Sequence, residues 1–100
     1  MRAVESALTQ NREARRKEAE LADFQQRLSL LSPRELEVLP LVVSGLLNKQ
    51  SAAELGISEI TLQIHRGNVM KKMRAGSLAE LVRMASALEI PMTRSRHSQE

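Results

Sequence analysis

The chain of 100 residues contains no cysteine, tryptophan or tyrosine, and Phe24 is its single aromatic residue. Without cysteine there can be no disulfide framework, thiolate nucleophile or cysteine metal site. With one aromatic side chain, we do not expect the base stacking by which proteins hold single-stranded nucleic acid or RNA loops. A helix that enters the major groove of a duplex needs no aromatic residue.

Signals of catalysis, metal binding and membrane insertion are also missing from the sequence. There is no glycine-rich phosphate loop, no cluster of carboxylates and no nucleophile beside a base, so we expect no catalytic residues, no cofactor and no enzyme activity. His65 and His97 lie far apart in sequence, and no metal site is expected. Because no apolar run approaches about 18 residues and no signal-peptide pattern is present, we expect a cytoplasmic protein without a membrane partner.

The charge of the chain is unevenly distributed. Its 15 basic and 12 acidic residues give a net charge of +3. Between residues 48 and 75 there are five basic and two acidic residues, so this segment alone carries a net charge of +3. The charges in the rest of the chain sum to zero. Residues 70–74 carry positive charges only. This distribution is typical of a surface that contacts nucleic acid.

The apolar pattern predicts an all-α protein with five helices, because no segment alternates as a β-strand does. The first helix is expected from about Arg2 to Leu30. Its second half carries apolar residues at spacings of three, four and three, namely Leu21, Phe24, Leu28 and Leu31. This a/d spacing fits a coiled coil. Two heptads leave the alternative open that the helix is held by pairs such as Glu13 with Lys17 and Arg16 with Glu20, while its apolar end docks on the domain.

Capping residues mark the second helix. Ser32 and Glu35 form a capping box with Pro33 at the first helical position, and the helix is expected to reach about Ser44. Pro40 lies inside it and should cause a kink, because proline deletes one backbone hydrogen bond. The predicted inward residues are Leu36, Leu39, Val42 and Val43, and Gly45 is the predicted C-cap.

A short third helix, a turn and a fourth helix follow. Asn48 is the predicted N-cap of the third helix, and Gly56 should end it, since a left-handed conformation is cheap for glycine. Its inward positions are Ser51, Ala52 and Leu55. Ser58 should cap the fourth helix by accepting a hydrogen bond from the amide of Thr61, and Gly76 should end that helix.

The fourth helix has two chemically different sides. With about 100° per residue, the side predicted to be buried consists of Ser58, Leu62, His65, Arg66, Val69 and Met73. The outward side consists of Ile60, Gln63, Ile64, Gly67, Lys71 and Arg74. Single exposed apolar residues are normal on a surface, but an ordered stripe of apolar, amide and cationic groups suits a helix in the major groove. There, apolar groups meet thymine methyls, an amide reads adenine and cations meet phosphates.

Ser77 and Glu80 form a second capping box, so a fifth helix is expected from Leu78 to about Glu89. Its predicted buried residues are Leu78, Leu81, Met84, Ala85 and Leu88. A second face carries the small side chains Ala79, Val82 and Ser86. These side chains would let another helix approach closely, and we predict that they form a dimer interface. An ordinary surface strip is the alternative.

Residues 31 to about 88 resemble the four-helix output domain of LuxR-type transcription regulators, in particular the FixJ-like response regulators. The resemblance rests on the run LSPRELEVLPLVVSGLLNKQSAAELGISEITLQIHRGNVMKKM followed by SLAELVRMA. Residues 2–17, RAVESALTQNREARRK, look like the last helix of a receiver domain running into a linker. A receiver needs clustered aspartates and this chain has only Asp23, so no receiver is expected within it. The sequence leaves open whether the chain is part of a longer protein.

The resemblance implies a function for particular residues. It places the residues that match Gln63, Ile64 and Gly67 at base edges, and those that match Lys49, Thr61 and Lys71 near phosphates. With the outward stripe, the candidate base-reading residues are Ile60, Gln63, Ile64 and Gly67. The candidate phosphate contacts are Asn48, Lys49, Ser58, Thr61, Lys71 and Arg74.

Two residues depart from the family pattern. Gln63 stands where the family usually has lysine, so binding should be weaker and differently specific. Ser51 stands where the family usually has isoleucine or valine, and its hydroxyl is expected to bond back to the carbonyl of Leu47.

The sequence therefore predicts a transcriptional regulator that binds duplex DNA sequence-specifically as a dimer and acts as the output domain of a two-component response regulator. Its expected organisation is a linker helix over residues 1–30, a helix-turn-helix domain over residues 31–90 and a flexible tail over residues 91–100. The expected partners are double-stranded DNA, a second copy of the chain and RNA polymerase. A helical interaction protein with a weakened DNA face is the alternative from another class. A sigma-factor-like promoter domain is the alternative within DNA binding, and the capped helix after Ser77 speaks against it.

Overall fold

A computed structural model describes the backbone of residues 2–91 and the side chains of residues 11–91. Over this part of the chain the protein has five helices and no strand, so the predicted all-α fold is confirmed. The helices are α1 (Arg2–Leu28), α2 (Pro33–Val43), α3 (Asn48–Leu55), α4 (Glu59–Met73) and α5 (Leu78–Ala87). None of these helices is both long and apolar enough to cross a membrane. The predicted tail, apart from Pro91, lies outside the described residues.

One core joins α2, α3, α4, α5 and the end of α1. Its centre is formed by side chains that are fully or almost fully buried, among them Val38, Leu39, Leu62, Val69, Met73 and Leu81. Phe24 and Leu31 belong to the same core, and Leu28 packs against it. The apolar seam of α1 therefore faces the domain in this structure. The sequence allowed a coiled coil or docking of this seam on the domain, and in the structure the seam is docked.

The ion pairs predicted along α1 form with other partners. Glu13 pairs with Arg16 at 3.0 Å instead of with Lys17. Glu20 pairs at 3.1 Å with Arg83 of α5 instead of with Arg16. Because α1 lies against the domain, a cation from another helix comes within reach of Glu20. The spacing along one helix could not indicate this partner.

The capping box of α2 forms as predicted. The amide of Glu35 donates to the Ser32 hydroxyl at 3.2 Å, and the amide of Ser32 donates to the Glu35 carboxylate at 2.9 Å. The helix continues through Pro40 to Val43. Leu36 is exposed, against the prediction, while Val38 and Leu41 are buried. Leu36 lies about 120° around the helix from Val42, which places it at the edge of the face that Val38, Leu39 and Val42 define.

The N-terminus of α3 differs from the prediction by one residue. Leu47 is the N-cap residue and Asn48 is the first helical residue. The amide of Leu47 donates to the side-chain oxygen of Gln50 at 2.9 Å, which supplies the local hydrogen bond that was expected from Asn48. At the other end, Gly56 has φ 67° and ψ 35°, the left-handed C-cap that was predicted.

Helix α4 begins at the predicted cap but ends earlier than predicted. The amide of Thr61 donates to the Ser58 hydroxyl at 3.1 Å. At the C-terminus Arg74, not Gly76, adopts the left-handed conformation, with φ 57°. The amide of Ala75 donates to the carbonyl of Met70 at 3.0 Å. Because Met73 is fully buried and Ala75 also packs against the core, the chain has to turn at Arg74.

Helix α5 buries Leu81, Met84 and Ala85 as predicted, and Leu88 packs against the core. Leu78 is exposed, against the prediction, because it is the first helical residue and lies at the end of the buried face. Only half of the predicted capping box forms. The amide of Glu80 donates to the Ser77 hydroxyl at 3.2 Å, but the Glu80 carboxylate accepts from the amide of Gly76 at 2.7 Å.

Candidate nucleic-acid interface

The outward side of α4 presents the predicted stripe to solvent. Ile60 is 73% exposed and Ile64 is 59% exposed, so both isoleucines stand free of the core. Gln63, Gly67 and Lys71 are exposed as well. At about 100° per residue these five positions lie within about 100° of arc around the helix. The structure therefore brings the predicted base-reading residues to one surface.

The opposite side holds α4 rigidly on the domain. Leu62, Val69 and Met73 have no exposed surface, and His65 and Arg66 are half-buried. Ser58, predicted to lie on the buried side, is exposed, because a capping residue lies outside the helix that it caps. The Nδ1 atom of His65 is buried and has no hydrogen-bond partner within the described part of the chain. This histidine is packed, as expected, but it is not bonded to the backbone there.

Gly67 is not required by the fold. A Cβ atom added to it would meet no atom within 4 Å, and Gly67 is not among the residues with positive φ. Glycine in the middle of a helix costs about 0.5 to 1 kcal/mol relative to alanine. The protein carries this cost at an exposed site where its own packing would accept a side chain. A close approach by an outside molecule is a physical reason for glycine here.

Three exposed cations lie on α3 and at the C-terminal end of α4. Lys49, Lys71 and Arg74 are exposed and make no ion pair within the described part of the chain. Lys72, in contrast, binds Glu35 at 2.7 Å. One cation of the basic run at residues 70–74, Lys72, is thus neutralised by an ion pair within the protein. Lys49, Lys71 and Arg74 stay available to an anionic partner.

The partner of Lys72 is the buried carboxylate of the capping box. Burial raises the pKa of Glu35, but hydrogen bonds from Lys72 and Ser32 and the charge of Lys72 outweigh it, so the pKa lies below the ordinary value of 4.5. Glu35 therefore stays ionised near neutral pH. The pair fixes the last turn of α4 to the start of α2.

Asn48 and Arg66 connect the two helices of the helix-turn-helix. The Arg66 guanidinium donates to the side-chain oxygen of Asn48 at 2.9 Å, from α4 to the first residue of α3. A guanidinium has donors only, so the amide oxygen must face Arg66. The amide nitrogen of Asn48, with its two N–H groups, is left for another partner.

Ser58 and Thr61 form a local hydroxyl pair at the start of α4. Their side-chain oxygens are 2.9 Å apart, and the Ser58 oxygen also accepts from the amide of Thr61. Each hydroxyl has a single proton, and the pair uses one of the two. One O–H donor is left for an acceptor outside the protein.

The predicted dimer face on α5 is only partly free. Ala79 and Ser86 are exposed, whereas Val82 is half-buried and packs against the core. Arg83 lies on the same side and pairs with Glu20 of α1. A second copy would therefore meet Arg83 and part of α1 in addition to the small residues.

Sequence reasoning missed the contacts that join distant segments. Arg66 and Asn48 are 18 positions apart, Lys72 and Glu35 are 37 apart, and Arg27 reaches the carbonyl of Met73 over 46 positions. The charged residues were visible in the sequence, but no spacing rule connects such partners.

Comparisons with known proteins show what the chain is similar to. The sequence model of the family described as "Bacterial regulatory proteins, luxR family" matches residues 29–85. Nodulation protein W of Bradyrhizobium diazoefficiens is 47% identical over 97 residues, which are 97% of this chain and 43% of that protein. The response regulator protein TmoT of Ectopseudomonas mendocina is 39% identical over 87 residues, covering 87% of this chain and 40% of the relative.

Two solved structures share the fold. Full-length FixJ from B. japonicum superposes with a TM-score of 0.71 at 44% identity and covers 86% of this chain and 42% of that one. The response regulator StyR superposes with a TM-score of 0.65 at 44% identity and covers 78% of this chain and 38% of that one. The chain thus spans about two fifths of the length of the relatives that it matches.

Proposed function

The chain belongs to the luxR family of bacterial regulatory proteins, whose members are DNA-binding transcription regulators, and we propose that α4 reads the major groove of duplex DNA. The observation that carries this proposal is Gly67, an exposed helical glycine that the fold does not require, flanked by two exposed isoleucines and an amide. The names of the family and of the relatives FixJ and TmoT also describe regulators and not enzymes.

The proposed base-reading residues are Ile60, Gln63, Ile64 and Gly67. The two isoleucines offer apolar contacts to thymine methyls, and the amide of Gln63 can make a bidentate contact to adenine. Gly67 supports close approach because it leaves no side chain between the helix backbone and the base edges. All four are exposed on the same side of α4.

The proposed phosphate contacts are Asn48, Lys49, Ser58, Thr61, Lys71 and Arg74. Lys71 and Arg74 belong to the outward side of α4, and the other four lie at the start of α3 or of α4. Lys49, Lys71 and Arg74 supply charge. Asn48 supplies the N–H groups that face away from Arg66, and the Ser58–Thr61 pair supplies one hydroxyl donor. Phosphate contacts of these kinds fix the register of a protein on the duplex and carry no sequence information themselves.

The test is a salt titration of binding to random and selected duplexes. Each phosphate contact contributes about −0.9 to the slope of log K against log salt. We expect Lys71→Ala to weaken binding to all duplexes similarly and to reduce that slope by about one unit. Lys17→Ala, which removes an exposed lysine from α1, is the matched control and should change neither slope nor affinity by a comparable amount. A loss at one operator sequence only would assign Lys71 to base reading.

We further propose that the chain binds DNA as a dimer through α5 and acts as the output domain of a response regulator. The exposed residues Ala79 and Ser86, with Val82 between them, support the α5 contact. A two-fold dimer would place two α4 helices about one helical turn apart and would require an inverted repeat. RNA polymerase is a further proposed partner.

Sedimentation with and without operator DNA tests the dimer contact. Ser86→Glu would place two carboxylates near each other across the axis, so dimers should weaken while the fold survives. Ser86 is exposed, unlike Val82, and is therefore the better position for a charge. Ala22→Glu, at an exposed position of α1, is the control. If Ser86→Glu dimerises on DNA as well as the parent, the contact lies elsewhere.

The competing proposal is a helical interaction protein with a weakened DNA face. Gln63 favours it, because the family usually has lysine at this position, whereas the available cations and Gly67 oppose it. Absence of binding to every duplex at low salt would leave only this alternative.

A further inference from the structure

The end of α1 reaches the end of α4. The Arg27 guanidinium donates to the backbone carbonyl of Met73 at 3.0 Å. Met73 is the last residue of α4, and the last four carbonyls of a helix have no partner within it. A cation is also favourable at a helix C-terminus, where the helix dipole is negative. Arg27 thus caps α4 from another helix.

The cap from Arg27 lies next to an unfavourable backbone conformation at the end of α4. Arg74, the residue that follows Met73, has φ 57° although it is not glycine. In the left-handed conformation the Cβ atom of an L-residue comes close to the following carbonyl oxygen, so this conformation is unfavourable for arginine. Packing of Met73 and Ala75 imposes the turn, and the contact from Arg27 stabilises the carbonyl that immediately precedes it.

Arg27 is held in place on several sides. Its second terminal nitrogen binds Asp23 at 2.6 Å, one turn back along α1. The guanidinium carbon lies 5.7 Å from the centre of the Phe24 ring, and that ring is 4% exposed within the core. The Arg27 side chain is 20% exposed. The guanidinium N–H group that donates to the carbonyl of Met73 is therefore held in the required orientation.

The same part of α1 is also attached to α5. Arg83 lies 5.6 Å from the centre of the Phe24 ring, so the ring has an arginine from α1 and one from α5 near it. Glu20 pairs with Arg83 at 3.1 Å. Residues 20–28 of α1 are thus part of the folded domain, although the family match begins at residue 29.

We infer that Arg27 is a positioning residue for DNA binding, through which docking of α1 and binding of DNA by α4 are coupled. Lys71 and Arg74, two of the proposed phosphate contacts, lie two positions before and one position after Met73. When α1 is docked, the carbonyl of Met73 is held and both cations are kept in place. Any event that pulls α1 from the domain releases them, so α1 is a route by which DNA binding can be regulated. This inference rests on the proposed function.

Coupling of this kind is reciprocal, because a free-energy link between two events acts equally in both directions. DNA should therefore strengthen the docking of α1 by the same factor by which docked α1 strengthens DNA binding. Amides that exchange only through global unfolding slow down when any ligand binds the folded state. The amides of residues 20–28 that report on docking are therefore those that exchange faster than the core of α2, through local opening of α1.

The first experiment compares two arginines of α1. Arg27→Gln and Arg16→Gln remove the same charge, but Arg16 is exposed and bonds only to Glu13 within its own helix among the described residues. Binding is measured with the duplex that the parent selects from a random pool, at a temperature where both variants are folded. We expect Arg27→Gln to lose about five- to tenfold in affinity beyond the loss in Arg16→Gln. Arg27→Lys, which keeps the charge and N–H donors but loses the planar guanidinium, should recover part of the lost affinity. Equal losses in the two glutamine variants would overturn the inference.

The second experiment uses the parent chain and does not depend on the folding of any variant. Amide hydrogen exchange is measured over residues 20–28 with and without the selected duplex. We expect exchange there to slow about five- to tenfold when DNA is bound. Unchanged exchange, with binding confirmed, would overturn the coupling and leave the proposed function intact. If no duplex is selected at all, the proposed function fails, and the inference that rests on it fails too.

Discussion

Arg66 binds the side-chain oxygen of Asn48 at 2.9 Å and thereby fixes which end of that amide faces outward. Arg66 is half-buried on α4, and Asn48 is the first residue of α3. The bond does two things: it ties the two helices of the helix-turn-helix together, and it turns the two N–H groups of Asn48 away from the guanidinium. An amide held this way is a ready donor to a phosphate.

Asn48→Asp should separate these two effects. The carboxylate keeps the contact with Arg66 as an ion pair and suits the start of a helix, so the melting temperature should stay or rise. DNA binding should fall on all duplexes, because a carboxylate has no donor and repels phosphate. Asn48→Ala, which removes the donor without adding charge, should bind with intermediate affinity. Equal affinity of the two variants would show that Asn48 does not face phosphate.

Gly67→Ala should improve stability and harm function. The new methyl group would meet no protein atom within 4 Å, and replacing a mid-helix glycine should add about 0.5 to 1 kcal/mol to the free energy of unfolding. If α4 approaches the bases closely at this point, affinity for the selected duplex should drop. Urea unfolding and binding titrations on the same samples measure both effects. A more stable variant with unchanged affinity would mean that no group of the DNA comes close to Gly67.

Gln63→Lys introduces the residue that the resemblance to LuxR-type regulators implies at this position. We expect a change in the preferred base at one position of each half-site, with a discrimination of roughly 1 to 3 kcal/mol. Selection from a random pool measures the preference. Gln26→Lys, at an exposed position of α1, adds the same charge away from α4 and should leave the preference unaltered. If Gln63→Lys selects the same sequence with the same affinity, Gln63 does not read a base.

Stability should fall in acid because of Glu35. Its pKa in the folded protein lies below the ordinary value of 4.5, so its ionised form contributes stability that is complete above pH 4.5. This contribution is lost as the pH falls through the folded-state pKa, because protonation then breaks the contact with Lys72. Urea unfolding between pH 7 and 3 should therefore show that the free energy of unfolding falls more steeply with falling pH in the parent than in Glu35→Gln. Glu37→Gln, at an exposed glutamate of the same helix, should retain the parent's slope.

Ser51→Ala should stabilise the protein. Ser51 is 1% exposed, and its hydroxyl has no hydrogen-bond partner within the described part of the chain, so the predicted bond to the carbonyl of Leu47 is not formed. That carbonyl accepts from the backbone amide of Ser51 instead, at 2.9 Å. Removing an unpaired buried hydroxyl should raise the free energy of unfolding by about 1 kcal/mol.

Ser44→Ala is the control for this substitution, because the Ser44 hydroxyl donates to the carbonyl of Pro40 at 2.7 Å. Its removal should lower the free energy of unfolding. A loss of stability in Ser51→Ala as well would mean that its hydroxyl has a partner in solution.

The sequence was sufficient for most features that depend on neighbours within a few positions; the N-cap of α3 and the second half of the Ser77–Glu80 capping box are the exceptions. Ser32, Ser58 and Ser77 cap helices where predicted, and Gly56 ends α3. These are local hydrogen bonds and backbone preferences, and the residues that decide them lie within about four positions. The outward stripe of α4 could be predicted for the same reason, since 3.6-residue periodicity assigns a side to every residue once the start of the helix is known.

Only the tertiary structure decided which distant groups meet. Arg66 binds Asn48 and Lys72 binds Glu35, although exposed carboxylates lie nearer to both in sequence. Arg27 binds the carbonyl of Met73, 46 positions away, in addition to its neighbour Asp23. The end of α4 was also decided by tertiary packing. Gly76 suits a left-handed turn better than Arg74 does, but burial of Met73 places that turn at Arg74. Packing of apolar side chains sets the distances between helices, and a charged group then pairs with whatever those distances bring within about 3 Å.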